Sequence, residues 1–278
     1  MKSVNSICYA ILVFLILGAQ LGCTATKLPP YEATYTTKLK GIKVTGTRKF
    51  EQVTDNQFKV SWRAKALWMS LHEWSEFELI ENNQLRPISY HYTRKGLGSD
   101  KPIHIVFDWE HNIVNASKGK KTVILPLSPG TQDKLSYQLQ MQLDLLRNPK
   151  RKSFSYPVAS HNKIRNYDFT LLKEESLTSK LGTESTLVFQ RQKRDTTTAI
   201  WLSPNQYYLP LKVERNEDGK TSVLKIKSWK SESVKKRGSG FALQTNNLNN
   251  SGITSPASGP LKSIVPASAS EATDDDEF

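Results

Sequence analysis

The chain has 278 residues, of which 37% are apolar and 23% charged, a balance that excludes a collagen, a coiled coil or a disordered chain. Its formal net charge of +13 points to anionic partners and makes nucleic acid one class to consider. Its two cysteines, Cys8 and Cys23, exclude a disulfide framework and a multi-cysteine zinc site.

The amino terminus carries an apolar segment that indicates export. No charged residue interrupts the stretch from Ile7 to Ala19, which follows Lys2. This stretch is short for a helix that crosses a bilayer, and small residues follow it, as they do in a secretory signal. We therefore predict a signal peptide over residues 1–22, with an uncleaved membrane anchor as the alternative.

Two processing sites are compatible with this signal. Leu21-Gly22-Cys23 resembles the end of a bacterial lipoprotein signal, although Gln20 stands where such signals carry an aliphatic residue. The residue after the cysteine is Thr24 and not an acid, as in lipoproteins that are sorted to the outer membrane. The alternative is ordinary cleavage after Ala25. The prediction is an exported, periplasmic protein that is anchored to the outer membrane through a lipidated Cys23.

From Tyr31 to Trp229 the chain is dominated by alternation of apolar and polar residues, which predicts half-buried antiparallel strands. Turn-forming residues separate the runs, and no βαβ pattern intervenes. The predicted fold is all-β: a large antiparallel curved sheet or partly open barrel with one amphipathic helix packed on or in it. The apolar positions of the clearest run are Phe58, Val60, Trp62, Ala64 and Ala66.

The helix is predicted between Thr131, which is placed to cap it, and Asn148-Pro149, which ends it. We expect this helix to pack against the sheet, and the alternative is a mobile gate over a ligand cavity. Its apolar face is formed by leucines at positions 135, 139, 143 and 146, whereas Gln138, Gln142 and Asp144 are expected to lie away from that face.

The sequence divides into four parts. Residues 23–30 form a linker after the signal peptide, and residues 31–230 form a single β-rich domain. Residues 231–278 are rich in Ser, Asn and Ala and end in an acidic run. A segment of that composition buries too little apolar surface to offset its ordering entropy, so we predict a disordered tail.

No motif predicts catalysis or a cofactor. The chain lacks a Gly-x-Ser-x-Gly elbow, a phosphate-binding glycine loop and a His-Glu-x-x-His pair. His104 and His111 lie on one predicted hairpin and could approach each other, but two imidazoles without a third ligand are weak evidence for a metal, and solvent-facing strand and turn histidines are the favoured interpretation. The expectation is therefore no catalytic residue, no metal and no cofactor.

Two carboxylates offer the one enzymatic alternative. Glu76 and Glu78 share a face of one predicted strand, and Glu73 is nearby. Paired carboxylates can raise one pKa for acid–base chemistry, as in glycosidases. On an exposed strand beside lysines and arginines, however, such residues more often form cross-strand ion pairs.

Five short motifs together resemble a known family. They are Phe107-Asp108-Trp109, Gln132 to Tyr137, Leu181 to Glu184, Thr198 to Pro204, and Tyr208 to Val213. In this order they resemble a family of exported bacterial proteins called domain of unknown function 3108. The resemblance covers roughly Tyr31 to Trp229 and supplies no catalytic residues. It implies a periplasmic or outer-membrane-associated β protein whose curved sheet and helix are similar to the half-barrel of lipoprotein carriers.

These observations favour a non-enzymatic envelope protein that binds a lipid, an acyl chain or a lipoprotein between sheet and helix. Its basic strands predict attraction to an anionic membrane or glycan surface, and export argues against nucleic acid. The alternatives are an enzyme or accessory factor acting on envelope polysaccharide, and a structural scaffold that uses the tail. The candidate ligand-binding residues are Trp62, Tyr90, Tyr92, Phe107 and Trp109.

Overall fold

The computed structural model describes residues 28–231, apart from residues 40, 68 and 97–100. The predicted signal peptide, the lipidation site Cys23 and the predicted tail after Ser231 lie outside the described residues. None of the described helices is long and apolar enough to cross a membrane.

The described residues form fourteen strands, one α-helix and two 3-10 turns, at Glu81–Asn83 and Pro204–Gln206. The helix, α1, spans Ser136–Arg147. The strands are β1 (Tyr31–Leu39), β2 (Ile42–Gln52), β3 (Gln57–Ala66), β4 (Met69–Ile80), β5 (Gln84–Lys95), β6 (Ile103–Asp108), β7 (Ile113–Lys118), β8 (Lys121–Pro126), β9 (Ser153–Ala159), β10 (Ile164–Ser179), β11 (Gly182–Lys193), β12 (Thr196–Ser203), β13 (Leu209–Glu217) and β14 (Lys220–Ser231).

All strands belong to one antiparallel sheet in the order β8-β7-β6-β5-β4-β3-β2-β1-β14-β13-β12-β11-β10-β9. Each half is a meander of hairpins, and the pairing of β1 with β14 joins the halves. Short turns make this possible: Asp218 and Gly219 both adopt positive φ, as a two-residue hairpin turn requires. The predicted all-β, curled antiparallel sheet with one helix is confirmed.

Helix α1 follows β8 at one edge of the sheet and precedes β9 at the other, and it packs against β5 and β9. Just before it, Gln132 pairs in parallel with Val158 of β9. The helix separates two apolar clusters. Leu135 and the helical Leu139 and Leu143 pack with β1–β7, whereas Tyr137, Met141 and Leu145 pack with β9–β12.

Because sheet residues pack on two sides of α1, the predicted polar face is not a solvent face. Gln142 and Asp144 are buried, contrary to the expectation that they lie away from the packed side. Asp144 accepts hydrogen bonds from Tyr156 Oη at 2.8 Å and from Arg151 Nη1 at 2.9 Å, which compensate its burial.

The start of the helix also differs from the expectation. The Thr131 hydroxyl donates to the Ser128 carbonyl at 2.7 Å and so stabilises the preceding turn. Asp133 caps the helix instead, since its Oδ1 accepts from the backbone N–H groups of Leu135 and Ser136 at 2.8 and 2.9 Å. The helix therefore begins at Ser136, five residues after the predicted cap.

Candidate functional site: a buried polar row beneath the helix

The five candidate aromatic residues lie on the inner face of the sheet. Tyr90 and Phe107 belong to the same buried cluster as Leu139 of the helix, and Trp62, Tyr92 and Trp109 are partly buried against it. The structure thus brings all five to one apolar cluster. Their role in ligand binding stays a prediction.

Trp109 has a structural contact at the edge of β5. Strand β5 pairs with β6 only over Ser89–Tyr92, so its preceding backbone groups need other partners. Trp109 Nε1 donates to the Pro87 carbonyl at 2.7 Å. Gln140 Oε1 accepts from Leu85 N at 2.7 Å, and Gln132 Nε2 donates to Leu85 O at 3.0 Å. The helix segment therefore replaces the missing strand at this edge.

A row of inward-facing side chains crosses the sheet beneath this helix. Ala33 of β1 pairs with Trp229 of β14 on one side and with Arg48 of β2 on the other. The row continues from Arg48 to Trp62 of β3 and Glu73 of β4. We call these five residues the polar row. With strands about 4.8 Å apart, Trp229 and Arg48 stand about 10 Å from each other across the small Ala33.

Arg48 is a buried cation, 5% exposed, whose hydrogen-bonding capacity is only partly used. Its Nε donates to Tyr31 Oη at 3.0 Å, and its Nη1 donates to Gln138 Oε1 of the helix. Its Nη2 is buried and has no hydrogen-bond partner among the described residues. No carboxylate in that part of the chain forms an ion pair with this guanidinium, which stays charged at any ordinary pH.

A second unpaired donor lies on the same row. Trp229 Nε1 is buried and, within the described ranges, has no acceptor. Buried donors in folded proteins are nearly always paired, so two on one row form an exception that needs an explanation. Both flank Ala33, and both belong to inward positions of their strands.

Glu73, at the other end of the row, is 4% exposed and accepts a hydrogen bond from Tyr90 Oη at 3.2 Å. Burial raises the pKa of this carboxyl to about 7. Lys134, the bond from Tyr90 and the Arg48 guanidinium oppose the increase, and Asp133 adds to it. Asp133 is itself buried, which raises its pKa, although Ser75 Oγ donates to it at 2.6 Å. Carboxyls and a guanidinium thus share the interior beneath the helix.

The two carboxylates singled out in the sequence lie on the opposite face of the sheet. Glu76 pairs with Lys59 at 2.9 Å, and Glu78 accepts from Arg86 Nε at 3.1 Å. Each therefore forms an ion pair with a basic residue of an adjacent strand. The inward acid, Glu73, was named only as a neighbour, although strand alternation places it on the same face as Phe77.

His104 and His111 have different partners in the structure. His104 stacks on His91 of β5 with ring centroids 4.1 Å apart, because these two residues are cross-strand partners. His111 lies in the β6–β7 turn, where its Nδ1 is 2.9 Å from Asp108 Oδ2. No group of three or more potential metal ligands occurs in the described part of the chain.

Comparisons with known proteins agree with this fold. The model of a family described as "Protein of unknown function (DUF3108)" matches residues 30–224. No curated protein matches the chain. Among solved structures, the chain is similar to a beta-barrel-like protein of domain of unknown function DUF1849 from Brucella abortus, with 8% identity and a TM-score of 0.51 over 74% of this chain and 99% of that one.

Two further structures are more distant. The MucA/MucB complex of Pseudomonas aeruginosa has 10% identity and a TM-score of 0.33, over 77% of this chain and 55% of that one. The hypothetical protein CT021 from Chlamydia trachomatis has 11% identity and a TM-score of 0.33, over 76% and 92%. Only the first likeness carries weight, and at that identity it shows the fold alone.

Proposed function

The chain belongs to the family described as "Protein of unknown function (DUF3108)", and from this premise we propose that it is a non-enzymatic, exported envelope protein that binds an anionic lipid or acyl chain beneath helix α1. The proposal includes attachment to the outer membrane through Cys23, which the signal-like segment before that cysteine supports. The ion pairs of Glu76 and Glu78 lend no support to the alternative of carboxylate catalysis.

The buried Arg48, whose Nη2 has no hydrogen-bond partner among the described residues, carries the proposal. Burying a cation without a counter-ion costs several kcal/mol, and leaving a buried donor unpaired costs about 1–3 kcal/mol. An oxygen of a carboxylate or phosphate would accept from Arg48 Nη2, and the Nε1 of Trp229 offers a second donor across Ala33. An anionic group is therefore the ligand chemistry that this row recognises.

The surroundings of the row favour an anion attached to an apolar chain. Tyr31 and Phe50 lie next to Arg48 on the inner face, and Leu139 and Leu143 of the helix belong to the same apolar cluster. A free inorganic anion would gain nothing from these side chains, whereas an acyl chain would bury apolar surface against them. The ligand class is therefore an anionic amphiphile.

For a ligand to reach Arg48, helix α1 must give up its hydrogen bonds to the sheet. Gln138 accepts from Arg48 Nη1, and Gln142 accepts from Tyr31 Oη at 3.3 Å. Both acceptors are neutral amides, and a charged oxygen forms a stronger bond to a guanidinium than an amide does. An incoming anion would thus replace the Gln138 amide, which couples binding to displacement of α1.

Titration of the exported chain with oleate, monitored by native mass spectrometry and by competition with a fluorescent fatty acid, tests the proposal. Dodecyl phosphate separates phosphate from carboxylate recognition, and oleyl alcohol is the uncharged comparison. We expect Arg48→Gln to weaken oleate binding at least tenfold, whereas Arg63→Gln, on the exposed face of β3, leaves it unchanged.

The melting temperature of Arg48→Gln provides a test that does not depend on a ligand. Arg48→Gln removes a buried charge that forms no direct ion pair with a described carboxylate, so we expect the melting temperature to stay the same or rise while binding weakens. The absence of an adduct with either anion would overturn the proposal, as would equal affinity for the alcohol. Metabolic labelling with a fatty acid, with Cys23→Ala as the control, tests the lipid anchor.

A further inference from the structure

One end of the sheet carries a concentration of basic side chains that the interior site does not use. Because neighbouring strands are antiparallel, alternate turns lie at the same end of the sheet. The turns β1–β2, β3–β4 and β5–β6 lie at this end. We call the basic residues beside these turns the basic rim. Its described members are Lys38, Lys43, Lys65, Lys95, Lys101, Lys118, Lys120, Lys121, Lys163, Arg165, Lys193, Arg194 and Lys220.

Acidic residues at the same end are few and lie together. Among the described residues beside these turns they are Asp195, Glu217 and Asp218. Glu217 accepts from Arg215 Nη2 at 2.9 Å, so its charge is balanced by a basic residue outside the rim. Basic residues therefore outnumber acidic ones among the described residues of the rim, so the rim carries a net positive charge that attracts anionic partners.

The turns at the opposite end of β2–β7 carry acidic residues and no lysine or arginine. The β2–β3 turn carries Asp55, the β4–β5 turn carries Glu81, and the β6–β7 turn carries Glu110, whereas Lys150, Lys152 and Lys180 lie at that end beside β9–β11. The described chain enters β1 at this opposite end, next to Leu28. Nine residues of β1, or about 30 Å at strand spacing, separate that entry from the rim.

An exposed leucine stands at a turn of the rim. Leu67, at the β3–β4 turn, is 72% exposed, more than any other large apolar residue in the described part of the chain. Its φ of +48° lies in the left-handed region, which favours glycine and asparagine over leucine. Neither burial nor backbone preference accounts for a leucine here.

Two exposed lysines lie on the strands that adjoin this turn. Lys65 and Lys95 pair with Ser70 from either side, so their Cα atoms stand about 10 Å apart across β4, three residues after Leu67. Both side chains are exposed. An apolar side chain near spaced cations suits a phospholipid surface, where phosphates attract the lysines and the headgroup region accepts the leucine. A glycan or another polyanion would use the cations alone.

We propose that the basic rim docks the protein on an anionic phospholipid surface, with Leu67 entering the headgroup region beside the turn that adjoins Lys65 and Lys95. This inference is independent of the interior ligand. Electrostatic attraction acts only within about 10 Å at physiological salt, so the rim must approach the surface directly. Because the rim lies at the end away from Leu28, this docking is distinct from attachment through an amino-terminal lipid.

Co-sedimentation of the full chain with vesicles tests the docking. All proteins carry Cys23→Ala, so that an attached lipid cannot contribute. We expect binding to phosphatidylcholine vesicles with 30% phosphatidylglycerol, decreasing with added salt, and at least tenfold weaker binding to phosphatidylcholine alone. Combined Lys65→Gln and Lys95→Gln should weaken binding to the anionic vesicles about tenfold or more, since each cation near such a surface contributes roughly fivefold.

Leu67→Asn separates lipid docking from simple attraction. Asparagine suits the positive φ, so the variant should fold at least as well, but it should bind the anionic vesicles several-fold more weakly. The matched control combines Lys150→Gln and Lys152→Gln, two exposed lysines beside β9 at the other end, and should bind as the parent does. Equal loss in this control would overturn the proposal, as would unchanged binding of Leu67→Asn together with equally tight binding to dextran sulfate.

Discussion

Replacement of Glu73 by glutamine should alter the dependence of stability on pH. Glutamine preserves the shape of the side chain and an oxygen that accepts from Tyr90 Oη, but it removes the proton exchange. The folded-state pKa of Glu73 is about 7, against an ordinary value of 4.5. Between these values the folded protein holds a proton that the unfolded chain releases, so the free energy of unfolding falls as pH rises.

The magnitude follows from this difference in pKa. Each unit corresponds to about 1.4 kcal/mol, so ionisation of Glu73 destabilises the wild-type fold by about 3 kcal/mol once the pH exceeds 7. At pH 5 the carboxyl is protonated in the folded protein and little of this cost is present. Glu73→Gln should therefore match the wild type near pH 5 and exceed it by up to about 3 kcal/mol at pH 8.

Urea unfolding at pH 5, 6, 7 and 8, followed by tryptophan fluorescence, measures this difference. Glu76→Gln is the matched control, because Glu76 lies on the opposite face of β4, is 42% exposed and pairs with Lys59. The control should change stability by less than about 1 kcal/mol at every pH. A constant difference between Glu73→Gln and the wild type, or a less stable variant at pH 8, would refute the assignment of Glu73 as a buried proton-binding group.

Three further substitutions probe the packing around the row, each measured by urea unfolding. Gly46→Ala should cost about 1–3 kcal/mol, since a Cβ there would lie 2.3 Å from Trp62 Cζ2; unchanged stability would mean that the indole moves freely. Trp109→Phe should cost about 1 kcal/mol through loss of the bond to Pro87, and no loss would contradict its role at the β5 edge. Asp133→Ala should cost about 2 kcal/mol as the cap is lost, and a neutral result would exclude this capping role.

Strand alternation predicted the fold because each strand presents one face to the core. The run from Phe58 to Ala66 illustrates this, since Phe58 and Val60 are buried while Arg63 and Lys65 are exposed. The same rule extends to β4, where Glu73 shares the parity of Phe77. The alternation on β4 therefore predicts that the carboxyl of Glu73 is buried.

The helix shows where a local pattern fails. The leucine spacing predicted α1 correctly, and Gln142 and Asp144 were expected to lie away from the leucine face, but that pattern did not reveal that they are buried. In the structure, core residues contact two sides, so the polar residues on α1 bond to the sheet and to the segment before β9. The periodicity of apolar residues in a sequence predicts which residues share a helix face, but it does not predict what that face packs against.

The polar row could not be assembled from local patterns, because it depends on register between strands that are distant in sequence. Arg48 has the inward parity of Phe50 on β2, which marks it as an unusual core residue. Its position across Ala33 from Trp229 follows only from the pairing of β1 with β14. The same dependence on register separated His104 from His111 and paired it with His91.

The contacts of α1 bear on how an interior site beneath it would operate. Gln142 joins the helix to Tyr31 through a bond between neutral groups, worth about 1 kcal/mol net, whereas the bond from the Arg48 guanidinium to the Gln138 amide is charge-assisted and worth about 1.5–3 kcal/mol. Under the proposed function, an anionic headgroup would replace this amide through its own negative charge and a second bond to Arg48 Nη2. Binding would then couple to displacement of α1 from Arg48.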